Sequence, residues 1–331
     1  MNKPQTIRWL IAHEPVKLFL RTAEAFSAKL DELTNGQYKV EIFTPTQYIT
    51  KITGSETNTL QVVKEYAWLW NNGPMQEMDS GNIEMSQLHI SELGKKHNSD
   101  FFALELPFLF RDHDHAARVF EGPIGKGLMS GLSEQSPARG LAFTYSGGFR
   151  CVASDTEISS IDELKGMKFT TVINPVTIDT IKAIGAIPDP LPCADHGTKI
   201  NAEGYDADAV ETTIPRYLAQ FEGTGRKANL LNTKHSLFLT SIIISNKLWD
   251  SLDVTTQAAF QEASLYASRL ERIWSVEDAI NFASTADEKF SGTYKELSDE
   301  ETNKFKKLTA PLYTKYADFF TTNLVDGIIK S

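Results

Sequence analysis

The 331-residue chain has little cysteine, no long apolar run and no excess of positive charge, and each shortage excludes a class of protein. Two cysteines, Cys151 and Cys193, are too few for a disulfide scaffold or a cysteine zinc site. The sequence is compatible both with one disulfide bridge between them and with two buried free thiols. The sequence contains no run of about 18 apolar residues, so it predicts no membrane-spanning helix. The net charge of −10 argues against a nucleic-acid binder, because such proteins concentrate Lys and Arg.

Familiar enzyme signatures are missing as well. The sequence contains no G-x-S-x-G elbow, no phosphate-binding loop ending in Lys-Ser/Thr, no H-E-x-x-H and no glycine-rich dinucleotide fingerprint. Asp112-His113-Asp114-His115 resembles a metal cluster, but two histidines that are two residues apart on a helix point to different sides. Asp112 and Asp114 suit helix capping better. We therefore expect no catalysis, no metal and no cofactor.

The N-terminus has no apolar secretory signal and runs almost directly into a strand. We expect that a signal peptide was removed ahead of this sequence, an expectation that depends on the family resemblance described below. The length of the chain favours two domains over one.

Hydrophobic periodicity predicts an α/β fold. Residues 7–12 are typical of a strand covered on both faces, and the apolar spacing from Phe19 to Leu33 predicts a helix that stops at Asn35-Gly36. Alternating Tyr38, Val40 and Ile42 predict a second strand. Short strand candidates at 83–88, 139–145, 148–153 and 168–172 are separated by helical stretches, which supports α/β layering.

A long helix is predicted near the C-terminus. Residues 254–291 contain neither Gly nor Pro, and an apolar stripe through Ala263, Tyr266, Ile273 and Ile280 follows helical spacing. A helix of about 30 residues would be near 45 Å long, more than one small domain is wide. Sustained heptads are absent, so we expect it to span two lobes and not to form a coiled coil.

Nine local patterns occur in an order that resembles the periplasmic receptors of TRAP-type (tripartite, ATP-independent periplasmic) transporters, the DctP-type family. They cover nearly the whole chain. They are Thr34-Asn35-Gly36, Ser80-Gly81-Asn82-Ile83-Glu84-Met85, Leu106-Pro107-Phe108-Leu109-Phe110, Gly147-Gly148-Phe149-Arg150, Ile161-Asp162-Glu163-Leu164-Lys165-Gly166-Met167-Lys168, Ile184-Gly185-Ala186-Ile187-Pro188-Asp189-Pro190, Asp208-Ala209-Val210-Glu211, Thr233-Lys234-His235 and Ser245-Asn246-Lys247 through Leu252.

The resemblance implies a two-lobed periplasmic binding protein fold with a long helix across both lobes. The expected lobes are 1–146 with 237–275, and 147–236 with 276–331. It also implies a periplasmic solute receptor, which captures a small organic ligand by hinge closure and delivers it to small and large permease subunits. A sensory protein of the same fold feeding a signalling partner is the alternative. The protein is expected to be a monomer, with a dimer also open.

The resemblance further suggests ligand-binding residues in the second lobe. Thr170 occupies the position where similar proteins carry an arginine that clamps a carboxylate. Arg150 matches a second basic contact, although a structural salt bridge is the alternative. Glu211 and Thr212 match a Glu-polar pair, with ordering of the hinge as the alternative for Glu211. His235 matches a position near the lobe crossing, where an interdomain hydrogen bond is equally compatible. Substituting Arg150 with Ala is expected to weaken ligand binding and leave folding intact.

In the first lobe, His89 falls where a polar side chain commonly lines the cleft, with a satisfied core histidine as the alternative. His13 and Glu14 follow the first strand, where ligands of open α/β sheets bind; capping is the alternative for Glu14.

The chain departs from the family in two segments. Between Pro45 and Gly81 it is about 20 residues longer than is usual, and Trp68 and Trp70 there could stack on a ligand or serve as ordinary core. The segment 193–196 also departs from the family. Together with Thr170 in place of the clamping arginine, this departure suggests an atypical ligand, a carboxylate or another polar organic compound outside the usual dicarboxylate and sugar-acid set.

Overall fold

The computed structural model describes residues 3–58, 61–62, 65–191, 207–221, 229–283 and 292–331. Its strands and helices alternate along the chain, and the predicted α/β class is confirmed. The chain forms two compact units. The first contains Met1–Asn98, Phe120–Tyr145 and Leu239–Trp274, and the second contains Ser99–Val119, Ser146–Phe238 and Ser275–Ser331.

The two units differ from the lobe boundaries expected from the sequence chiefly over Ser99–Val119, which groups with the second unit. Residues of this segment hydrogen-bond to the rest of that unit: the Tyr313 hydroxyl donates to the Pro107 carbonyl, and a ring nitrogen of His115 lies 2.8 Å from the Ile328 carbonyl oxygen. The expected lobe boundaries themselves stay a prediction.

The described strands are numbered in chain order: β1 Gln5–Ile11, β2 Tyr38–Phe43, β3 Met85–His89, β4 Ala138–Phe149, β5 Cys151–Ser154, β6 Lys168–Val172, β7 Ile187–Leu191, β8 Ala209–Thr212, β9 Asn229–Asn232, β10 Leu237–Ser245 and β11 Tyr294–Glu296. The described α-helices are α1 Val16–Thr34, α2 Pro45–Thr53, α3 Gly73–Ser80, α4 Ile90–Lys96, α5 His113–Glu121, α6 Pro123–Gly131, α7 Pro175–Ala183, α8 Ile214–Phe221, α9 Asn246–Ser251, α10 Val254–Ala283, α11 Asp299–Thr309, α12 Pro311–Lys315 and α13 Leu324–Lys330. Short 3-10 helices occupy Ala67–Trp70, Ser99–Glu105, Leu132–Glu134 and Asp162–Leu164. No helix of the described ranges is long and apolar enough to cross a membrane.

The first unit is built on a sheet of order β2-β1-β3-β10-β4. Strand β1 runs parallel to β2 and β3, while β10 is antiparallel to β3. Helix α1 covers this sheet because its apolar residues recur at helical spacing, and the Phe26 ring lies 5.1 Å from the Trp9 ring. Asn35, in the left-handed conformation, caps the helix, and Gly36 follows with a positive φ of 75°. The predicted helix and its stop are thus confirmed.

The second unit contains a sheet of order β11-β9-β5-β8-β6-β7 with a hydrophobic core on each face. Phe169 and Leu231 belong to one core, and Val210 and Leu230 belong to the other. Adjacent residues enter opposite cores because side chains alternate along a strand. Parallel β6 and β8 are neighbours within this sheet, so their carboxyl ends lie at the same edge of the sheet.

Helix α10 has 30 residues, about 45 Å at the usual rise, which confirms the predicted length. Its residues 254–274 belong to the first unit and 275–283 to the second. The predicted apolar stripe is buried only in part: Ala263 is fully buried, whereas Tyr266 is 44% exposed, Ile273 52% and Ile280 63%. The predicted extension over 284–291 lies outside the described residues.

The side of α10 that faces β4 is polar because β4 is an edge strand, in which some backbone N–H and C=O groups are not bonded by a neighbouring strand. The Glu271 carboxylate accepts from the Tyr145 amide at 2.7 Å, and Arg272 donates to the Phe143 carbonyl at 2.9 Å. Gln261 donates to the Leu141 carbonyl at 2.8 Å. Hydrogen bonding to the strand, and not apolar burial alone, therefore decides which side of the helix packs inward.

Candidate functional site

Buried polar side chains collect at the carboxyl ends of strands in the first unit. His13 follows β1 after one residue, and His89 is the last residue of β3. Both side chains are buried, and their ring centroids lie 5.9 Å apart. His13 also packs on Phe19 of α1, with 5.5 Å between ring centroids. Glu14, half-buried, comes next in the connection to α1. The structure thus brings together the two histidines that the sequence singled out.

Gln87 extends this polar group by one step along β3, since residues two apart share a face of the sheet. It is fully buried, and its Nε2 donates to the Thr144 hydroxyl at 3.2 Å. The Thr144 and Thr240 hydroxyls lie 2.7 Å apart, and Thr240 is the register partner of His89. The Gln87 Oε1 atom has no hydrogen-bond partner within the described ranges.

We call His13, Gln87, His89, Thr144 and Thr240 the neutral cluster. Its amide, hydroxyl and imidazole groups offer hydrogen-bond donors and acceptors but no carboxylate or guanidinium group. Buried polar atoms are almost always hydrogen-bonded, so an unpartnered amide oxygen inside β3 marks a position where a donor from a solute or a water would be stabilised. Sequence analysis missed Gln87, Thr144 and Thr240, which alternate with apolar residues in strands.

The two tryptophans have packing roles. They lie in the 3-10 helix Ala67–Trp70, where Trp70 is buried and Trp68 is half-buried. A Cβ atom added to Gly73 would lie 2.6 Å from the Trp68 ring, so this ring packs directly on the backbone at the start of α3. Stacking of Trp68 or Trp70 on a ligand stays a prediction.

The second unit buries a charged group centred on Arg150. This residue is fully buried, and its Nη2 lies 2.8 Å from the Glu105 carboxylate. Its Nη1 lies 3.5 Å from the Glu211 carboxylate, and its guanidinium centre lies 4.2 Å from the centroid of the Phe238 ring. A buried cation is tolerated when carboxylates neutralise it, and Arg150 has two of them.

Glu211, near the end of β8, is held by several donors. The His235 Nε2 atom and the Thr171 hydroxyl each lie 2.8 Å from one of its carboxylate oxygens. Burial alone would raise the pKa of Glu211, but the Arg150 charge and the bonds from His235 and Thr171 outweigh burial and lower the pKa to about 2. Glu211 is therefore ionised throughout the neutral pH range.

His235 orients Glu211 and is itself held in place. Its Nδ1 atom lies 2.7 Å from the Thr233 hydroxyl, and its ring stacks on Phe305 with 5.3 Å between ring centroids. A histidine bonded through both nitrogens and stacked on a ring has a fixed orientation. Arg150, Glu211 and His235, singled out separately in the sequence, thus form one network.

The backbone before Arg150 is positioned by two glycines with positive φ, Gly147 at 92° and Gly148 at 83°. A Cβ atom on Gly147 would come within 2.3 Å of the Thr213 hydroxyl oxygen, so only glycine fits there. Arg150 itself is fixed by backbone bonds, since its amide donates to the Ser236 carbonyl at 2.8 Å and its carbonyl accepts from the Lys234 amide at 3.0 Å.

Thr170 and Thr212 are buried but lie apart from the Glu211 carboxylate. Thr171 bonds to Glu211, whereas Thr170, one residue earlier in β6, faces the other side of the sheet. Thr170 shares that side with its register partner Val210, which packs in the same core as Ile214 of α8. The Thr212 hydroxyl donates to the Thr213 carbonyl at 3.3 Å.

Three further residues near Arg150 were not singled out in the sequence: Glu105, Arg216 and Phe238. Arg216, in the first turn of α8, is 4% exposed, and its guanidinium centre lies 4.5 Å from the Phe238 ring centroid. We call Glu105, Arg150, Glu211, Arg216 and His235 the charged cluster. Glu105 carried a usable signal, because a single acid in the apolar stretch 101–106 predicts burial with a cation.

Two other sequence expectations can be placed. The Asp112 carboxylate accepts from the His115 amide at 2.6 Å, which confirms capping of α5 by this residue. Within the described ranges, no group of three or more His, Cys, Asp and Glu side chains could hold a metal ion.

Of the two cysteines, Cys151 is a buried free thiol, and burial raises its pKa to about 12. Cys193 and the segment 193–196 lie outside the described residues.

The sequence matches a known family over most of its length. The model of the DctP family, described as "Bacterial extracellular solute-binding protein, family 7", matches residues 13–318. The C4-dicarboxylate-binding periplasmic protein DctP of Rhodobacter capsulatus is 24% identical over 302 residues, which are 88% of this chain and 81% of that protein. An uncharacterised protein of Haemophilus influenzae is 28% identical over 182 residues, 55% of this chain and 54% of that relative. The match thus spans about half the length of the Haemophilus relative.

Solved structures show the same fold. A TRAP periplasmic solute-binding protein from Shewanella oneidensis, with bound succinate, superimposes with a TM-score of 0.81 at 18% identity and covers 99% of both chains. The sugar acid binding protein DctPAm from Advenella mimigardefordensis, in complex with galactonate, gives 0.78 at 21% identity over 100% of this chain and 98% of that one. The fold is therefore that of TRAP periplasmic solute-binding proteins, and with the match over residues 13–318 the chain belongs to the DctP family of bacterial extracellular solute-binding proteins.

Proposed function

We propose that this protein is the periplasmic solute receptor of a TRAP transporter, and that it binds a small organic acid by hinge closure and delivers it to small and large permease subunits. The observation that carries the proposal is the family match over residues 13–318. A receptor needs no reacting groups, only a set of fixed hydrogen-bonding and charged groups that recognise the solute. The neutral and charged clusters both supply such groups at strand ends, where ligands of open α/β sheets bind.

The ligand class is inferred from chemistry that several of the related structures share. Succinate, galactonate and D-erythronate are bound in three of them, and each of these compounds is a carboxylate. A carboxylate is well matched by a buried guanidinium, and the second unit contains two. We therefore propose that the acid, and not an amine or a neutral compound, is the transported form.

Among the residues singled out in the sequence, we propose two kinds of role. His13, Glu14 and His89 of the first unit and Thr170 and Thr212 of the second would contact the solute. Arg150, Glu211 and His235 would form the rigid base of the charged cluster, since their side chains already bond to one another. Trp68 and Trp70 would act through packing.

A thermal-shift screen tests the proposal. The panel contains succinate, galactonate, D-erythronate and pantoate, with succinamide and erythronamide as neutral counterparts. An acid at a hundredfold excess over its dissociation constant stabilises the folded protein by about 2.7 kcal/mol, which raises Tm by a few degrees. The amides should have no effect. If no acid of the panel raises Tm, or if acids and amides act equally, the protein is not a receptor for such acids.

A further inference from the structure

The second unit contains a cavity of about 330 Å³ that is separate from both clusters. Every described residue that lines it belongs to this unit, and among these residues none is a member of the neutral or the charged cluster. Cavities that bind small molecules usually measure about 300 to 1,000 Å³ and combine an apolar wall with a few fixed polar groups. The volume therefore suits a small molecule, and the lining residues indicate its chemistry.

The apolar wall of the cavity comes from α10 and from the start of α8. Val276 and Ile280 lie one turn apart on α10, and Ile214 is the first residue of α8. The Ile280 side chain is 63% exposed. Covering exposed apolar surface with an apolar group of a ligand is favourable, because that surface is removed from water. An aliphatic or aromatic group would therefore be stabilised next to Ile280.

The polar part of the lining carries one positive and one negative charge. The Lys234 Nζ atom lies 3.0 Å from the Glu296 Oε2 atom, and both side chains are more than half exposed. The other carboxylate oxygen, Oε1, accepts from the Tyr294 hydroxyl at 2.6 Å and from the Asn232 Nδ2 atom at 3.0 Å. Burial alone would raise the pKa of Glu296, but the bonds from Tyr294, Lys234 and Asn232 lower it. The Glu296 carboxylate is therefore fixed and ionised at neutral pH.

The backbone of Lys234 has an unusual conformation for a lysine. Its φ of 48° lies in the left-handed region, which residues other than Gly and Asn rarely adopt. The Lys234 amide donates to the Arg150 carbonyl at 3.0 Å, which holds the backbone in place. Glycine would adopt this conformation at no steric cost. What lysine adds at this position is an ammonium group at the cavity.

The Lys234–Glu296 pair suits a ligand that carries both charges. An exposed ion pair contributes little to stability, because water screens both charges, so exchanging its partners costs little. The ammonium of a zwitterion would bind to Glu296, and its carboxylate to Lys234. A ligand with one charge would satisfy one of these residues and meet a like charge on the other. An α-amino acid carries both groups on one carbon, next to its side chain.

We propose that this cavity is a second ligand site of the protein and binds an apolar α-amino acid in its zwitterionic form. The apolar side chain would pack on Val276 and Ile280, with the charged groups at Lys234 and Glu296. The proposal goes beyond the receptor function, because the transported acid would bind at the clusters and not in this cavity.

An NMR titration of protein with isotope-labelled isoleucine methyl groups tests the proposal, because Ile214 and Ile280 line the cavity from two helices. The probes are L-leucine, isocaproate, which lacks the ammonium, and isoamylamine, which lacks the carboxylate. We expect leucine to shift the Ile214 and Ile280 signals. It should bind about 10-fold more tightly than either analogue, the size of effect expected for one hydrogen bond to a charged group.

Three variants separate the two charges. Lys234→Asn removes the ammonium and keeps a residue that tolerates the left-handed backbone, so leucine should bind about 10-fold more weakly and no better than isoamylamine. In Glu296→Gln, leucine should bind no better than isocaproate. The matched control is Lys295→Gln, because Lys295 also forms an exposed ion pair, with Glu157, but points to the other face of β11. It should change leucine binding less than about 2-fold. If Lys234→Asn does not fold, Glu296→Gln decides alone.

Three results would overturn the proposal. Leucine could leave the Ile214 and Ile280 signals unchanged, or the three probes could bind equally, which would indicate an apolar cavity without charge recognition. Shifts confined to isoleucines of the first unit, such as Ile11 and Ile242, would place the amino acid elsewhere. Each of these results leaves the receptor function intact, because the thermal-shift screen tests that function separately with organic acids.

Discussion

The two units bury polar groups at their strand ends in different ways. The neutral cluster of the first unit relies on hydroxyl, amide and imidazole groups, such as Thr144, Thr240 and Gln87, and one amide oxygen in it has no partner among the described residues. The charged cluster of the second unit places two guanidinium groups on the Phe238 ring and fixes one of them with two carboxylates.

Under the proposed receptor function, we expect the two clusters to have different roles. Charge recognition needs a fixed counter-charge in a dry environment, which the charged cluster would provide. Discrimination among acids of similar charge needs hydrogen bonds and shape, which the neutral cluster would provide with smaller energies. Substitutions in the two clusters should therefore differ in magnitude and in their dependence on pH and ligand charge.

The largest effect is expected for Arg150. Replacing it with Met leaves Glu105 and Glu211 buried without their shared cation, which should lower the free energy of unfolding by about 3–5 kcal/mol. This expectation replaces the earlier one that Arg150→Ala would leave folding intact. Urea denaturation measures the loss. The double variant Glu105→Gln with Arg150→Met should recover part of the stability, and an unchanged urea midpoint for Arg150→Met would contradict the structural role.

A pH-dependent effect is expected for Glu211. Its pKa is lowered to about 2 in the folded protein, so the stabilisation is fully present above its ordinary pKa and is lost as the pH falls toward 2. Replacing Glu211 with Gln should therefore cost roughly 3 kcal/mol at pH 7, and the gap between the two proteins should narrow between about pH 5 and pH 2.

Denaturation curves across that pH range provide the measurement for Glu211. The control is Glu24→Gln, which changes an exposed carboxylate on α1 and should leave the pH profile of stability as it is in the wild type. A gap between wild type and Glu211→Gln that stays constant over the whole range would show that the ionised carboxylate is not stabilised by the charged cluster.

The smallest effect is expected in the neutral cluster. Gln87→Met keeps the shape of the side chain, removes one bond to Thr144 and also removes an unpartnered buried oxygen, so the unfolding free energy should change by about 1 kcal/mol or less. Binding of an acid and of its amide should weaken by the same factor, about 10-fold, because no charge is lost. Unequal losses for acid and amide in titration calorimetry would show that the first unit also senses charge.

The sequence was sufficient for much of the fold. Strand β1 and helix α1 follow from local periodicity, and the length of α10 follows from the absence of Gly and Pro over 254–283. The buried side of α10 follows from periodicity only where Phe260 and Ala263 enter the apolar core. The rest does not, because Glu271 and Arg272 bond to the edge strand β4. An apolar stripe identifies a packed side only where the partner surface is apolar too.

The candidate site was predictable only in part. The order of short motifs singled out Arg150, Glu211 and His235 one by one. Their mutual bonds could not be foreseen, because Glu105 and Arg150 are 45 positions apart and meet only in the folded second unit. Arg216 belongs to no motif of the resemblance, and its burial depends on Phe238, a residue 22 positions later that itself looks like ordinary strand core.

A crystal structure of the protein grown with whichever acid raises Tm most is the most direct test of the central claim, that the protein is a receptor for a small organic acid. The proposal predicts the acid bound next to residues of the neutral or the charged cluster, with the Arg150 pairs to Glu105 and Glu211 unchanged. An acid bound to Arg150 in place of Glu105 or Glu211, or bound away from both clusters, would contradict it.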